Sequence, residues 1–127
     1  MARDPWEDTV STEPERGGEL IPRPQRTPDA LRVALARIAP HRLAEMEQQK
    51  NEAFSLAAEH DTLGPLHGWL SVWAREVEVE RRYDLSTRRR SALDVLHHTG
   101  DKADPAFRAA MDELRAVEDE ATRAVSE

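Results

Sequence analysis

Apolar residues recur at helical spacing along most of the chain from residue 28 onward. In the first such segment Leu31, Leu35 and Ile38 follow one another at intervals of four and three residues, which places them on one helical face. Thr27 and Pro28 stand just before it, where a hydroxyl caps the first turn and proline fits the first helical position. The same apolar spacing and helix-start signals predict five helices, at about 28–39, 41–59, 64–81, 85–98 and 105–125.

One stretch is ambiguous between strand and helix. Residues 76–80 read Glu-Val-Glu-Val-Glu, and alternation with period two is typical of a half-buried strand. An isolated strand of this length has nothing to pair with, so we predict that the stretch is helical. The predicted fold is therefore all-α, a small bundle of four to five helices formed by residues 28–127.

The two tryptophans of the third predicted helix are expected to supply much of the core. Trp73 lies on the apolar stripe, and we predict that it is buried facing Phe54 and Leu35. Trp69 lies about 40° off that stripe by helical geometry. It is therefore either core mass or, if exposed, an anchor for a partner.

The first 27 residues look different from the rest. Prolines, glycines and charged residues dominate, apolar periodicity is missing, and this composition predicts a disordered tail. Its apolar spots are Trp6 and the pair Leu20 and Ile21. They are either short anchors that become ordered on a partner or ordinary tail composition.

Charge changes this picture towards a protein partner. The chain has 18 Lys and Arg against 25 Asp and Glu, a net charge of −7, which disfavours generic nucleic-acid binding. Acidic residues concentrate after residue 100, and Asp112, Glu113, Asp119 and Glu120 lie on one predicted helix. An acidic helix of this kind suits docking onto a basic partner.

The basic exception is a group of five arginines within ten residues: Arg81, Arg82, Arg88, Arg89 and Arg90. On a helix the last three fan over about 200°, so they cannot all grip one phosphate groove. Three interpretations stay open. The arginines form a solvated or ion-paired face with neighbouring acidic residues, contact an acidic protein, or contact nucleic acid.

No catalytic or metal-binding pattern stands out. The chain has no cysteine, which rules out disulfides and thiolate sites. His97 and His98 are adjacent and point about 100° apart on a helix, whereas a ligand pair needs a spacing of three or four residues. We therefore expect no enzyme activity, cofactor or metal. With no signal-peptide core near Met1 and no membrane-spanning stretch, we expect a cytoplasmic protein.

A set of helix starts and core positions lies between residues 27 and 82: Ala30-Leu31-Arg32, Ala39-Pro40-His41-Arg42-Leu43, Glu45-Met46, Ala53-Phe54, Leu66, Trp73-Ala74 and Val79-Glu80. This segment resembles an uncharacterised family of small actinobacterial helical proteins. The family has no established catalytic residue to carry over. The resemblance implies relatives beside toxin-like genes, and hence an antitoxin or adaptor role.

These observations predict a protein–protein interaction module, antitoxin-like or adaptor, that binds a basic partner protein, for example a basic toxin. Alternatives are a nucleic-acid-binding regulator that uses the arginines of residues 81–90, and a structural homo-oligomer. The expected partner-binding residues are Trp69, Arg81, Arg82, Arg88, Arg89, Arg90, Asp112, Glu113, Asp119 and Glu120.

Overall fold

A computed structural model of the chain describes residues 18–126. Within that range the protein has five α-helices and no β-strand beyond an isolated bridge, which confirms the predicted all-α fold. The predicted disorder of residues 1–17 and the suggested anchor Trp6 lie outside the described residues. The helices are α1 (Pro28–Ile38), α2 (Leu43–His60), α3 (Gly64–Arg81), α4 (Tyr83–His98) and α5 (Pro105–Ser126), and a short 3₁₀ turn (Pro40–Arg42) precedes α2.

Short polar residues and prolines set the helix ends. The Thr27 hydroxyl accepts a hydrogen bond from the Ala30 amide at 3.2 Å, and Asp104 accepts one from the Ala106 amide at 2.8 Å before α5. Asp61 ends α2 in the left-handed region with φ of 50°, which an aspartate tolerates better than most residues. The predicted helix positions therefore agree with the structure to within about two residues.

The third helix, α3, is the centre of the bundle. It packs against α1 and α2 on one side and against α4 and α5 on the other. The first core lies between α1, α2 and α3, and among its largest buried side chains are Leu31, Leu35, Met46 and Trp73. The second core lies where α3, α4 and α5 meet and consists of Val79, Leu85, Val117 and Ala121.

Trp73 and Leu35 are buried as predicted, with 1% and 0% of their surface exposed. The predicted contact with Phe54 is wrong, because Phe54 is 55% exposed. Its neighbour Ala53 faces the core instead, and one residue along a helix turns the side chain by about 100°.

The alternating stretch 76–80 is helical, as predicted, and its period has a clear cause. Residues two apart on a helix differ by about 200°, so they point to nearly opposite sides. Val77 belongs to the first core, whereas Val79 belongs to the second. Glu76 and Glu78 are also buried, and by the same geometry they lie on nearly opposite sides of the helix. The alternation therefore marks a helix that is covered on both sides.

Between α3 and α4 a single residue breaks the helix. Arg82 has an extended backbone, with φ of −102° and ψ of 121°. The Leu20 amide donates to the Arg81 carbonyl and the Tyr83 amide donates to the Gly18 carbonyl, each at 2.8 Å. An extended N-terminal segment therefore provides hydrogen bonds that the helix loses at its break.

The boundary between tail and domain, predicted at residue 28, needs correction. Residues 18–27, called the N-terminal clasp below, pack on the bundle, and Ile21 is buried with 7% of its surface exposed. Leu20, the other predicted anchor, is 60% exposed. Thus one member of the apolar pair anchors the clasp to the chain's own first core.

None of the helices within residues 18–126 has the length and apolar character needed to cross a bilayer.

Candidate functional site

The predicted arginine cluster is largely occupied by the protein itself. Arg81 is 3% exposed and donates to both carboxylate oxygens of Glu78, at 2.8 and 3.1 Å. Its remaining bonds go to the clasp, to the Glu19 carboxylate at 3.0 Å and the Ile21 carbonyl at 3.1 Å. Arg81 therefore joins α3 to the clasp and presents no guanidinium surface to a partner, which corrects its predicted partner-binding role.

Glu78 is the acceptor at the centre of this junction. Its side chain is fully buried, and Arg23 from the clasp donates to it through two bonds of 2.9 Å. Burial raises the pKa of the carboxyl group, but the bonds from Arg23 and Arg81 outweigh that effect and lower the pKa to about 2. Glu78 is therefore ionised, and its charge is balanced within the fold.

Glu76 plays the equivalent part on the other side of α3. It accepts from Arg89 on α4 at 2.8 and 2.9 Å and from Arg42 at 2.9 Å. Burial raises the pKa of Glu76, but these arginines lower it by more than burial raises it, so that the pKa is about 2. The Arg42 guanidinium also lies 5.0 Å from the centre of the Trp73 ring, a cation–π distance.

The remaining arginines of the cluster differ in accessibility. Arg82 pairs with Asp84 at 2.8 Å, and this hydrogen bond holds the pKa of Asp84 below its usual value. Arg88 bridges α4 to α5 by binding Glu113 at 2.6 Å and Glu120 at 2.8 Å. Arg90 is exposed and has no acidic partner among residues 18–126.

The acidic residues predicted on α5 divide in the same way. Glu113 and Glu120 serve Arg88, so the structure joins residues from the two predicted sites in one internal bridge. Asp112 and Asp119 are exposed, and Asp112 lies 3.7 Å from Arg115. Much of the acidic charge predicted for a partner therefore holds α5 to α4.

Trp69 is a core residue, which corrects its predicted partner-binding role. It is 7% exposed, and its indole nitrogen donates to the Met46 carbonyl at 3.1 Å. The Trp73 indole donates to Gln49 at 3.0 Å in the same way. Both rings fasten α3 to α2, because the apolar face of a central helix is wider than a single stripe.

The outer face of α2 is the surface that sequence reasoning missed. Small or uncharged polar residues form its exposed centre: Ala44, Gln48, Asn51 and Ser55. Glu45, Glu52 and Glu59 run along one edge at intervals of seven residues, which keeps them in line on a helix. The seven-residue repeat is visible in the sequence and was the available signal. We call these seven residues the α2 outer face.

Two large apolar side chains border the α2 outer face. Phe54 is 55% exposed and Leu56 is 46% exposed. Of the acidic side chains on α2, Glu45 binds Arg42 at 3.1 Å and Glu47 binds Lys50 at 3.2 Å. Glu52 and Glu59 have no basic partner among the described residues, so this helix keeps uncompensated negative charge next to exposed apolar area.

The histidines do not assemble with other ligands in the described part of the chain, where no group of three or more His, Cys, Asp or Glu residues is placed to hold a metal. The ring nitrogens of His97 and His98 lie 2.9 and 2.8 Å from the Leu93 and Asp94 carbonyls in the last turn of α4.

Comparison of the chain with protein-family models, curated proteins and solved structures finds no match.

Proposed function

We propose that the chain is a protein–protein interaction module, an antitoxin-like protein or an adaptor, that binds a basic partner protein in the cytoplasm. The observation that supports this proposal best is the α2 outer face. This face carries a line of three glutamates, and two exposed apolar side chains, Phe54 and Leu56, border it.

The charges argue for a basic partner. α2 carries four glutamates and a single lysine, and Lys50 is already paired with Glu47. A partner helix with lysine or arginine residues seven apart would meet Glu52 and Glu59 in register, whereas Glu45 already binds Arg42. Such charge complementarity accelerates association and fixes orientation.

The apolar side chains argue for a protein rather than a small ion. A fully exposed phenylalanine or leucine gains about 1.5–3 kcal/mol when it is buried, which is the type of contribution that anchors an interface. Phe54 and Leu56 lie on opposite edges of the α2 outer face, about 200° apart around the helix. A partner that contacts both must therefore wrap around α2.

The two alternatives receive less support from the geometry. A nucleic-acid regulator needs free arginines, whereas Arg81, Arg88 and Arg89 donate to carboxylates within the fold. A homo-oligomer through α2 would bring the same glutamates of two copies together, which is unfavourable.

Co-purification of the tagged full chain from its native host, followed by mass spectrometry, tests the proposal. We expect one basic protein to co-elute at low salt and to be lost from the double variant E52Q/E59Q. The variant D112N/D119N removes the same charge from exposed positions of α5 and should retain the partner. Recovery of the chain alone across several salt concentrations, or equal loss in both variants, would contradict the proposal.

A further inference from the structure

A second surface combines exposed apolar side chains with two arginines along one edge. Between α3, α4 and α5 lies an open cleft of about 430 Å³ that Leu93, Met111 and Leu114 line with apolar side chains. Past Met111 the surface continues into a neighbouring hollow of about 600 Å³, which Phe107 and Lys102 border. Because Met111 and Arg115 line both, the two form one continuous depression, called the hairpin cleft below.

The apolar floor of the hairpin cleft has the period of a helix-binding groove. Phe107, Met111 and Leu114 are spaced by four and three residues along one flank of α5, which covers about 10 Å. All three are only partly buried, and Leu93 faces the cleft from α4 with 40% of its surface exposed. An apolar stripe of two helical turns on a partner matches this length.

The outer edge of the cleft carries positive charge. Arg108 and Arg115 are seven residues apart on α5 and therefore lie on the same edge. The Arg115 side chain is 71% exposed and has only a 3.7 Å contact with Asp112. Two carboxylates also line the cleft. Glu76 is neutralised by Arg42 and Arg89, and Glu118 lies 3.8 Å from Arg75, outside the cleft lining.

We propose that the hairpin cleft binds an acidic amphipathic helix of a partner protein. Apolar side chains of that helix, at positions i, i+4 and i+7, fill the space over Phe107, Met111 and Leu114. Carboxylates seven residues apart on its flank pair with Arg108 and Arg115. The cleft and the α2 outer face lie on different helices and differ in charge, so this inference does not depend on the basic partner proposed above.

A peptide of defined chemistry tests the proposal. The probe is a fluorescein-labelled 18-residue helical peptide, about 27 Å long, with leucines at i, i+4 and i+7 and glutamates along one flank. The comparison peptide has lysines in place of the glutamates. Fluorescence anisotropy with the full chain should show at least tenfold tighter binding of the acidic peptide.

Matched variants locate the binding site. L93S and V95S remove leucine and valine side chains of similar exposure from opposite flanks of α4. R108Q/R115Q and R32Q/R37Q remove two exposed arginines each, from α5 and α1. We expect L93S and R108Q/R115Q to weaken binding of the acidic peptide at least tenfold, and V95S and R32Q/R37Q to leave it unchanged.

Several outcomes would overturn the inference. These are a dissociation constant above about 1 mM for the acidic peptide, equal or tighter binding of the basic peptide, and equal effects of L93S and V95S. Self-association that L93S abolishes, measured by analytical ultracentrifugation, would assign the cleft to a second copy of the chain. E52Q/E59Q should leave peptide binding intact, which separates failure here from failure of the proposed function.

Discussion

The two halves of the bundle are held together by different means. Around α1, α2 and the first part of α3, large side chains such as Leu31, Met46, Trp69 and Trp73 form a continuous apolar core. The α4–α5 hairpin shares with α3 a second core of four small or medium side chains, and Val125 near the end of α5 packs against the first core. Several larger apolar residues of the hairpin are exposed, as Leu93 at 40% and Val95 at 37% illustrate.

Ion pairs join the two helices of the hairpin to each other and to the central helix. Arg88 ties α4 to α5, and Arg89 ties α4 to Glu76 on the central helix. Buried ion pairs cost desolvation energy, so they specify an arrangement more than they stabilise it. We therefore expect the first half to provide most of the stability of the fold, whereas the α4–α5 hairpin presents the hairpin cleft.

The largest expected effect tests the first half. Trp73→Ala should lower the free energy of unfolding by about 3–5 kcal/mol, because it empties the centre of the first core. That loss is a large part of the 5–15 kcal/mol typical of a domain, so thermal melts followed by circular dichroism should show a mostly unfolded protein. Phe54→Ala, which removes an exposed ring, is the control. A Trp73→Ala melt within a few degrees of wild type would contradict the assignment.

The junction between the halves gives the next effect. Glu78→Gln keeps the shape of the side chain but leaves the Arg81 guanidinium buried without its main counter-charge. We expect a loss of about 3 kcal/mol in urea unfolding, the lower end of the range for breaking a buried pair. Glu59→Gln, at an exposed position, should change stability by less than about 0.5 kcal/mol. Equal stability of the two variants would mean that the ion pairs of Glu78 do not contribute to the stability of the fold.

Acid should also lower the free energy of unfolding, because it protonates the buried glutamates of α3. The folded-state pKa of both Glu76 and Glu78 is about 2, below the ordinary value of 4.5. Their contribution to stability is therefore complete above about pH 4.5 and is lost as the pH falls from there towards 2. Urea unfolding at a series of pH values should show this decline, and Glu78→Gln should make it shallower. A pH profile identical in the variant would exclude Glu78 as a source.

The smallest effect concerns the hairpin itself. Arg88→Gln removes a partly exposed bridge to Glu113 and Glu120, which should cost no more than about 1 kcal/mol globally. Locally, amide hydrogen exchange should quicken in α4 and α5 while the first core keeps its protection. Arg32→Gln on α1 is the matched control. Uniform acceleration across all helices would show that the two halves unfold as one unit.

Helix positions were predictable because each depends on local signals. The predicted range of α3 coincides with the observed one, Gly64–Arg81, since Gly64-Pro65 starts it and the apolar stripe runs through it. α4 begins two residues earlier than expected, because the helix break is at Arg82, which pairs with the clasp.

The candidate site was less predictable because it depends on which helix lies at the centre. Because Trp69 lies off the predicted apolar stripe, the sequence leaves it open as core mass or as a partner anchor. In the structure the apolar face of α3 is wide enough to bury Trp69 in the first core together with Trp73. Composition predicts a tail for the N-terminal clasp, because the contact that holds it is not local. Arg23 binds Glu78, which lies 55 residues away along the chain. Pairings at such distances leave no local pattern in composition or spacing.

The separation along the chain between the clasp and the helix break also bears on the order in which parts of the fold form. The clasp bonds to the helix break across about 60 residues, so its ordering closes a long loop of the chain. The helical hairpins on which it closes form from nearby residues and need no such closure. We therefore expect the clasp to dock after the transition state, so that Arg23→Gln speeds unfolding and leaves the folding rate almost unchanged. The clasp then acts as a latch that governs how long the folded state lasts rather than how quickly it is reached.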